Sequence, residues 1–161
     1  MNIAYSLVLK RVNLVEMFVV ASGYVLRVLA GCAAIGAAPS PWILSATGIL
    51  ALLIVAGKRR SDPGQASRYA VEYLDNIIAV LGAATIVTYL LFTASDYATQ
   101  RYGQLVIATS VFVAYGVLRY MQLIQSGKGA DEPTTLVLSD AGIRACVVLW
   151  AATFFALIYM R

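Results

Sequence analysis

Three consecutive cations, Lys58-Arg59-Arg60, stand between an apolar stretch and Ser61-Asp62-Pro63-Gly64, with Ser67, Arg68, Glu72 and Asp75 beyond. Arg68, Glu72 and Asp75 recur at i, i+4 and i+7, on one face of the first turns of a following helix. Arg and Lys bind phosphate directly, and carboxylates bind it through Mg²⁺. Lys58, Arg59 and Arg60, with Asp62, Glu72 and Asp75 as candidate metal ligands, therefore suit a phosphorylated ligand. A basic loop flanked by helix-surface ion pairs is the other reading of the same charges. Asn2, Tyr5, Ser6, Lys10 and Arg11 form a second polar stretch that continues to Glu16.

Arg27 is a different case. It lies inside an apolar helical run, where an arginine near a bilayer centre costs at least about 2.5–3.5 kcal/mol on insertion scales. Such a residue faces a polar cavity or a partner. Glu16, Val20, Gly23, Arg27 and Gly31 follow helical spacing. Glu16 and Arg27 are eleven residues apart, roughly 16 Å along the axis, too far for a direct ion pair. Gly23 and Gly31, one turn to either side, clear room for a neighbouring helix or an anion. An arginine satisfying backbone carbonyls between helices is the alternative.

The elements that must position these groups are membrane helices. The 161 residues are 61% hydrophobic and 12% charged, with a mean hydropathy of +0.80, which excludes an ordinary soluble domain. Five apolar runs have bilayer-spanning character: about Leu14–Ile35, Trp42–Gly57, Ile77–Ala94, Leu105–Ile124 and Ile143–Met160. The second is short for a core of about 30 Å and calls for extension at either end or a locally thinned bilayer. Gly57 is a candidate helix end, and Asp62-Pro63-Gly64 signals a turn. SDYATQRYG reads as a short turn. The first run is too long for a secretory leader and lacks a small-residue cleavage site. The expectation is an all-α, polytopic helical bundle of about five spans, forming one integral membrane domain over residues 1–161.

Basic residues orient it. With the N-terminus in the cytoplasm, Lys10, Arg11, Lys58, Arg59, Arg60, Arg68, Lys128 and Arg144 fall inside, and only Arg101 and Arg161 fall outside. Arg119 lies within the fourth span near its cytoplasmic end. Cytoplasmic loops then cover about 1–12, 58–75 and 126–142 of a multi-pass cell (inner) membrane protein. The net charge of +4 belongs to loops that attract anionic headgroups or phosphorylated substrates. Nucleic acid fits poorly, since no soluble basic surface or stacking platform is present. Cys32 and Cys146 sit alone in separate spans and read as packing residues. Histidine is absent, which removes imidazole acid–base chemistry and His-ligated zinc.

Four blocks, YSxxLKR, ASGYVLRxxAG, GKRRSD and DEPTTLVLSD, resemble the UbiA superfamily of intramembrane prenyltransferases. The resemblance is to its decaprenyl-phosphate phosphoribosyltransferase branch, which includes NoeC-type nodulation proteins. It implies that Tyr5, Ser6 and Lys10 belong to the active-site mouth, and that Arg27 is the arginine of the helix that follows. It also implies that Lys58 and Arg59 line a second substrate loop with Asp62 at its acidic position. Glu132-Pro133 and Asp140 would mark the last cytoplasmic connection. Glu16 replaces the usual Asp, and Asp62 the usual Glu. The family fold has nine helices. This chain resembles the C-terminal five, and the first acidic motif, N-D-x-x-D-x-x-x-D, does not occur in it.

The function so implied is Mg²⁺-dependent transfer of a 5-phosphoribosyl group from phosphoribosyl diphosphate to polyprenyl phosphate. The product would feed a lipid-linked D-arabinose donor for arabinosylation of a nodulation signal or envelope glycan. A separate N-terminal half or a homo-oligomer would complete the fold. A non-catalytic polyprenyl-phosphate-binding subunit and an aromatic prenyltransferase component are the alternatives. A transporter fits less well, because no internal repeat is visible.

Overall fold

The computed structural model describes residues 13–62, 70–126, 135 and 138–159. Among them every regular element is helical: α1 (Asn13–Ala34), α2 (Pro41–Ser61), α3 (Val71–Ala94), α4 (Asp96–Tyr102), a 3₁₀ segment (Gln104–Thr109), α5 (Ser110–Gln125) and α6 (Ala141–Tyr159). Five stretches are long and apolar enough to cross a membrane, the fourth formed by the 3₁₀ segment together with α5. The protein is an all-α polytopic membrane bundle.

The helix ends follow local chemistry. Ser40 caps α2, its hydroxyl accepting from the Trp42 N–H at 3.3 Å, with Pro41 in the first turn, where its missing N–H costs nothing. Ser95 caps α4 in the same way, accepting from Ala98 N–H. Gly103 ends α4 at φ +87°, a conformation that favours glycine.

Two boundaries differ from the sequence expectation. The second span does not stop at Gly57: α2 runs on to Ser61, and Gly57 is buried inside it. Lys58, Arg59 and Arg60 form the last turn, where cations complement the negative end of the helix dipole. The 21 residues of α2 reach about 30 Å, so this span needs no thinned bilayer. Likewise α3 begins at Val71 rather than Ile77. The segment expected as a loop over 58–75 is therefore helical at both ends. SDYATQRYG is a capped helix and not a simple turn.

Contacts cluster into two compact units, residues 1–81 and 82–161. In the first, Met17 and Ala21 of α1, Ala51, Leu53, Val55 and Ala56 of α2, and Leu74 and Ile78 of α3 make up the buried apolar set. In the second, Val106, Val117, Leu123, Ile124 and Ile143 are buried together with Thr93, Thr109 and Ser110. The hydroxyls there are satisfied: Thr93 and Ser110 pair at 3.1 Å, Tyr89 and Thr109 at 2.9 Å, and Trp150 Nε1 donates to Tyr89 Oη at 2.7 Å. Such bonds join helices where lipid supplies no hydrophobic drive between them. Cys146, buried, donates its thiol to the Phe112 carbonyl, and Cys32 is also unpaired with any cysteine. Both thus act as single thiols.

Candidate functional site: a cationic helix end

Among the described residues, the first unit gathers its charges, Arg27 excepted, at one end. There the C-terminal turn of α2 lies beside the first turn of α1 and the early turns of α3, and two ion pairs join the three helices. Arg59 Nη2 donates to Glu16 Oε1 on α1. Arg60 Nε donates to Asp75 Oδ1 on α3 at 2.9 Å. The helices meet here because adjacent arginines project from one turn of α2 toward different neighbours.

The two pairs are unlike in burial. The Glu16 and Arg59 side chains are 2% and 15% exposed; those of Arg60 and Asp75 are 23% and 32% exposed. Removing one partner of a buried pair strands the other charge and costs about 3–5 kcal/mol, whereas a partly hydrated pair contributes about 0–1 kcal/mol. The Glu16–Arg59 pair is thus the lasting clamp between α1 and α2, and the Arg60–Asp75 pair is the one that opens readily. Arg59 also keeps a buried Nε with no hydrogen-bond partner among the described residues, an unusual state for a buried donor.

The remaining candidates are distributed around this end. Lys58 is exposed, Asp62 caps α2 through its backbone N–H to the Lys58 carbonyl, and Glu72 is exposed in the first turn of α3. Tyr5, Ser6 and Lys10 lie outside the described residues, as do Arg68, Glu132 and Pro133. Arg27 is elsewhere. Its exposed guanidinium lies 5.2 Å from the ring centroid of Tyr24 on the same helix, a cation–π contact. A Cβ at Gly23 or Gly31 would meet no atom within 4 Å. The face around Arg27 is therefore open among the described residues, and the structure does not bring Arg27 to the cationic end.

Two of the carboxylates at this end are engaged by arginines. Asp75 is bonded to Arg60, and Glu16, whose carboxylate was not among the proposed ligands, is bonded to Arg59. Among the described residues no three His, Cys, Asp or Glu side chains gather closely enough to hold an ion. Asp62, Glu72 and Asp75 are thus not gathered into one three-carboxylate set among the described residues.

Sequence reasoning named Arg119 and Asp140 separately but did not pair them. In the second unit Arg119 grips Asp140, Nη2–Oδ2 at 2.8 Å and Nε–Oδ1 at 3.4 Å, while its Nη1 donates to Gln122 at 2.9 Å. Asp140 also accepts from the Ile143 N–H at 2.9 Å and so caps α6. An acidic residue just before an apolar run is a readable capping signal, but no local period links it to Arg119.

No family model matches the chain. It is similar to three curated proteins named decaprenyl-phosphate phosphoribosyltransferase. Identity is 28% to that of Mycobacterium tuberculosis (strain CDC 1551 / Oshkosh), over 95% of this chain and 53% of the relative. It is 27% to the protein of Mycolicibacterium smegmatis, over 98% and 55%. For Corynebacterium glutamicum it is 24%, over 99% and 52%. The chain spans about half the length of the curated relatives it matches.

Proposed function

We propose that this chain is a UbiA-like transferase component that works at a membrane face on a polyprenyl phosphate and a phosphoribosyl diphosphate. A phosphate oxygen of the lipid would attack the anomeric carbon of the donor. The bond from that carbon to the diphosphate breaks, and the diphosphate leaves with its electron pair. Lys58 and Arg60 would hold phosphate oxygens and stabilise the charge that develops on the leaving group. Arg59, clamped by Glu16, would fix the turn that carries them. The apolar spans would house the isoprenoid tail, and the N-terminus would be cytoplasmic in an inner membrane. Mg²⁺ would arrive with the diphosphate and neutralise part of its charge.

The observation that carries this reading is the set of three consecutive cations on one helix end, braced by two ion pairs and set against membrane spans. Similarity to three decaprenyl-phosphate phosphoribosyltransferases supports the same chemistry. The product would serve a lipid-linked D-arabinose donor, for an envelope glycan or, in a nodulating bacterium, for a nodulation signal.

One observation favours a second reading. The absence of a three-carboxylate cluster among the described residues suits a non-catalytic subunit that binds polyprenyl phosphate.

An assay with radiolabelled phosphoribosyl diphosphate separates the two. The purified chain with polyprenyl phosphate and Mg²⁺ should show no transfer. Co-expression with a four-helix half bearing N-D-x-x-D-x-x-x-D should restore it. Turnover by the chain alone would show that the first motif is dispensable. No transfer after complementation would favour the binding subunit.

A further inference from the structure

We infer that the adjacent arginines of the cationic end have different tasks. Arg60 exchanges its carboxylate for a ligand phosphate, and Asp75 is the internal anion that competes for that arginine. The inference rests on the phosphate-binding reading above and assigns Asp75 a role other than metal ligand.

Access separates the two pairs. An anion arriving from water meets Arg60 and Asp75, both partly hydrated, before it meets Arg59 and the nearly inaccessible Glu16. Opening the outer pair returns Asp75 to solvent, where its charge is well tolerated. Opening the inner pair would strand a carboxylate that is 2% exposed, so exchange there is strongly disfavoured.

Geometry points the same way. Among the described residues Asp75 takes a single bond, from Nε of Arg60. A guanidinium can give two parallel N–H bonds to one phosphate group, so diphosphate offers Arg60 more than Asp75 does. The helices are not freed by the exchange. Arg59 still ties α2 to α1, and the buried Leu74 and Ile78 of α3 are untouched. Asp75 therefore sets the affinity threshold of the site, occupying Arg60 until an anion of higher charge arrives.

The test is isothermal titration of inorganic diphosphate into the full chain, in nanodiscs of neutral phosphatidylcholine and in metal-free buffer. Asp75→Asn should tighten binding roughly three- to fivefold, the loss of one weak competing pair. Asp75→Ser should do the same and serves where the asparagine variant fails to fold. Glu72→Gln removes an equal charge one turn earlier on α3 with no bond to Arg60. It should change affinity by less than about twofold, a field effect damped by water. Adding Arg60→Gln to Asp75→Asn should abolish the gain.

Weaker binding by Asp75→Asn would overturn the inference and make Asp75 a ligand-side group. Equal gains from Asp75→Asn and Glu72→Gln would also overturn it, as would a gain that survives Arg60→Gln. If the wild-type chain binds diphosphate and this pattern fails, only the inference falls. If no variant binds it, the phosphate-binding reading falls too.

Discussion

Arg119 and Asp140, 21 residues apart in the chain, meet through two guanidinium–carboxylate contacts, at 2.8 and 3.4 Å. The contact joins the last turns of α5 to the cap of α6, because Asp140 also receives the Ile143 N–H. The Arg119 guanidinium first, and that backbone N–H second, hold the Asp140 carboxyl below its ordinary value, while burial opposes them.

A pH dependence follows. A carboxyl lowered by folding stabilises the folded state above its unfolded pKa, near 3.9, and the contribution fades as pH falls through the lower folded value. Wild type should therefore unfold at a higher temperature than Asp140→Asn from pH 8 down to about 4, with the gap closing below. Thermal unfolding in detergent across that range is the measurement. A gap that widens on acidification would contradict the assignment.

The buried clamp makes a second prediction. Glu16→Gln should destabilise the chain by about 3 kcal/mol or more, because the Arg59 charge stays buried without its counter-ion. Replacing both partners, Glu16→Gln with Arg59→Gln, should recover part of that loss. A double-mutant cycle on unfolding midpoints reads the coupling, and strict additivity would mean that the pair contributes nothing.

Gly82 faces α5 closely. A Cβ built there would lie 2.6 Å from Met121 Sδ and 3.4 Å from Val117 Cγ1. Gly82→Val should cost roughly 1–3 kcal/mol by overpacking, and Met121→Ala should relieve much of it. Failure of the second change to rescue the first would place the strain elsewhere.

Arg27 supplies a prediction about use rather than folding. Arg27→Leu lowers the insertion cost, so the membrane level should hold or rise. Under the transferase reading, transfer to polyprenyl phosphate in the complemented assay should fall to background. Full activity of this variant would make Arg27 structural.

Topology has its own check. Under the proposed orientation, which follows the distribution of basic residues, a cysteine introduced at Gln65 should resist an impermeant thiol reagent applied to intact cells. Labelling from outside would reverse the orientation.

The spans were legible because apolar runs of bilayer length announce themselves, and the cations of α2 were legible because three stand together. Gly57 misled because a glycine can end a helix. Here the cations after it stabilise a further turn, and burial keeps the glycine helical. Ser95, Asp96 and Gly103 spell out the caps of α4, so the expected short turn is a short capped helix. The partner of Glu16 was not legible at all. Helical spacing related Glu16 only to residues of α1, such as Arg27, while its partner Arg59 is 43 positions away on another helix. The pairing of Arg119 with Asp140 was hidden for the same reason, since tertiary ion pairs leave no period in the sequence.

The 3₁₀ segment before α5 has a consequence for what lengths of chain the fold accepts. Each of its residues turns about 120°, against about 100° in an α-helix, so its six residues rotate α5 by roughly a third of a turn. That phase aims Tyr120, Leu123 and Ile124 inward and leaves Leu118 outward. Val106 and Thr109, three apart and both fully buried, share the inward edge of the segment. Insertion or deletion of one residue there would swing the apolar stripe of α5 away from its neighbours. Three residues make about one full turn, so relatives that differ in length at this point should differ in threes.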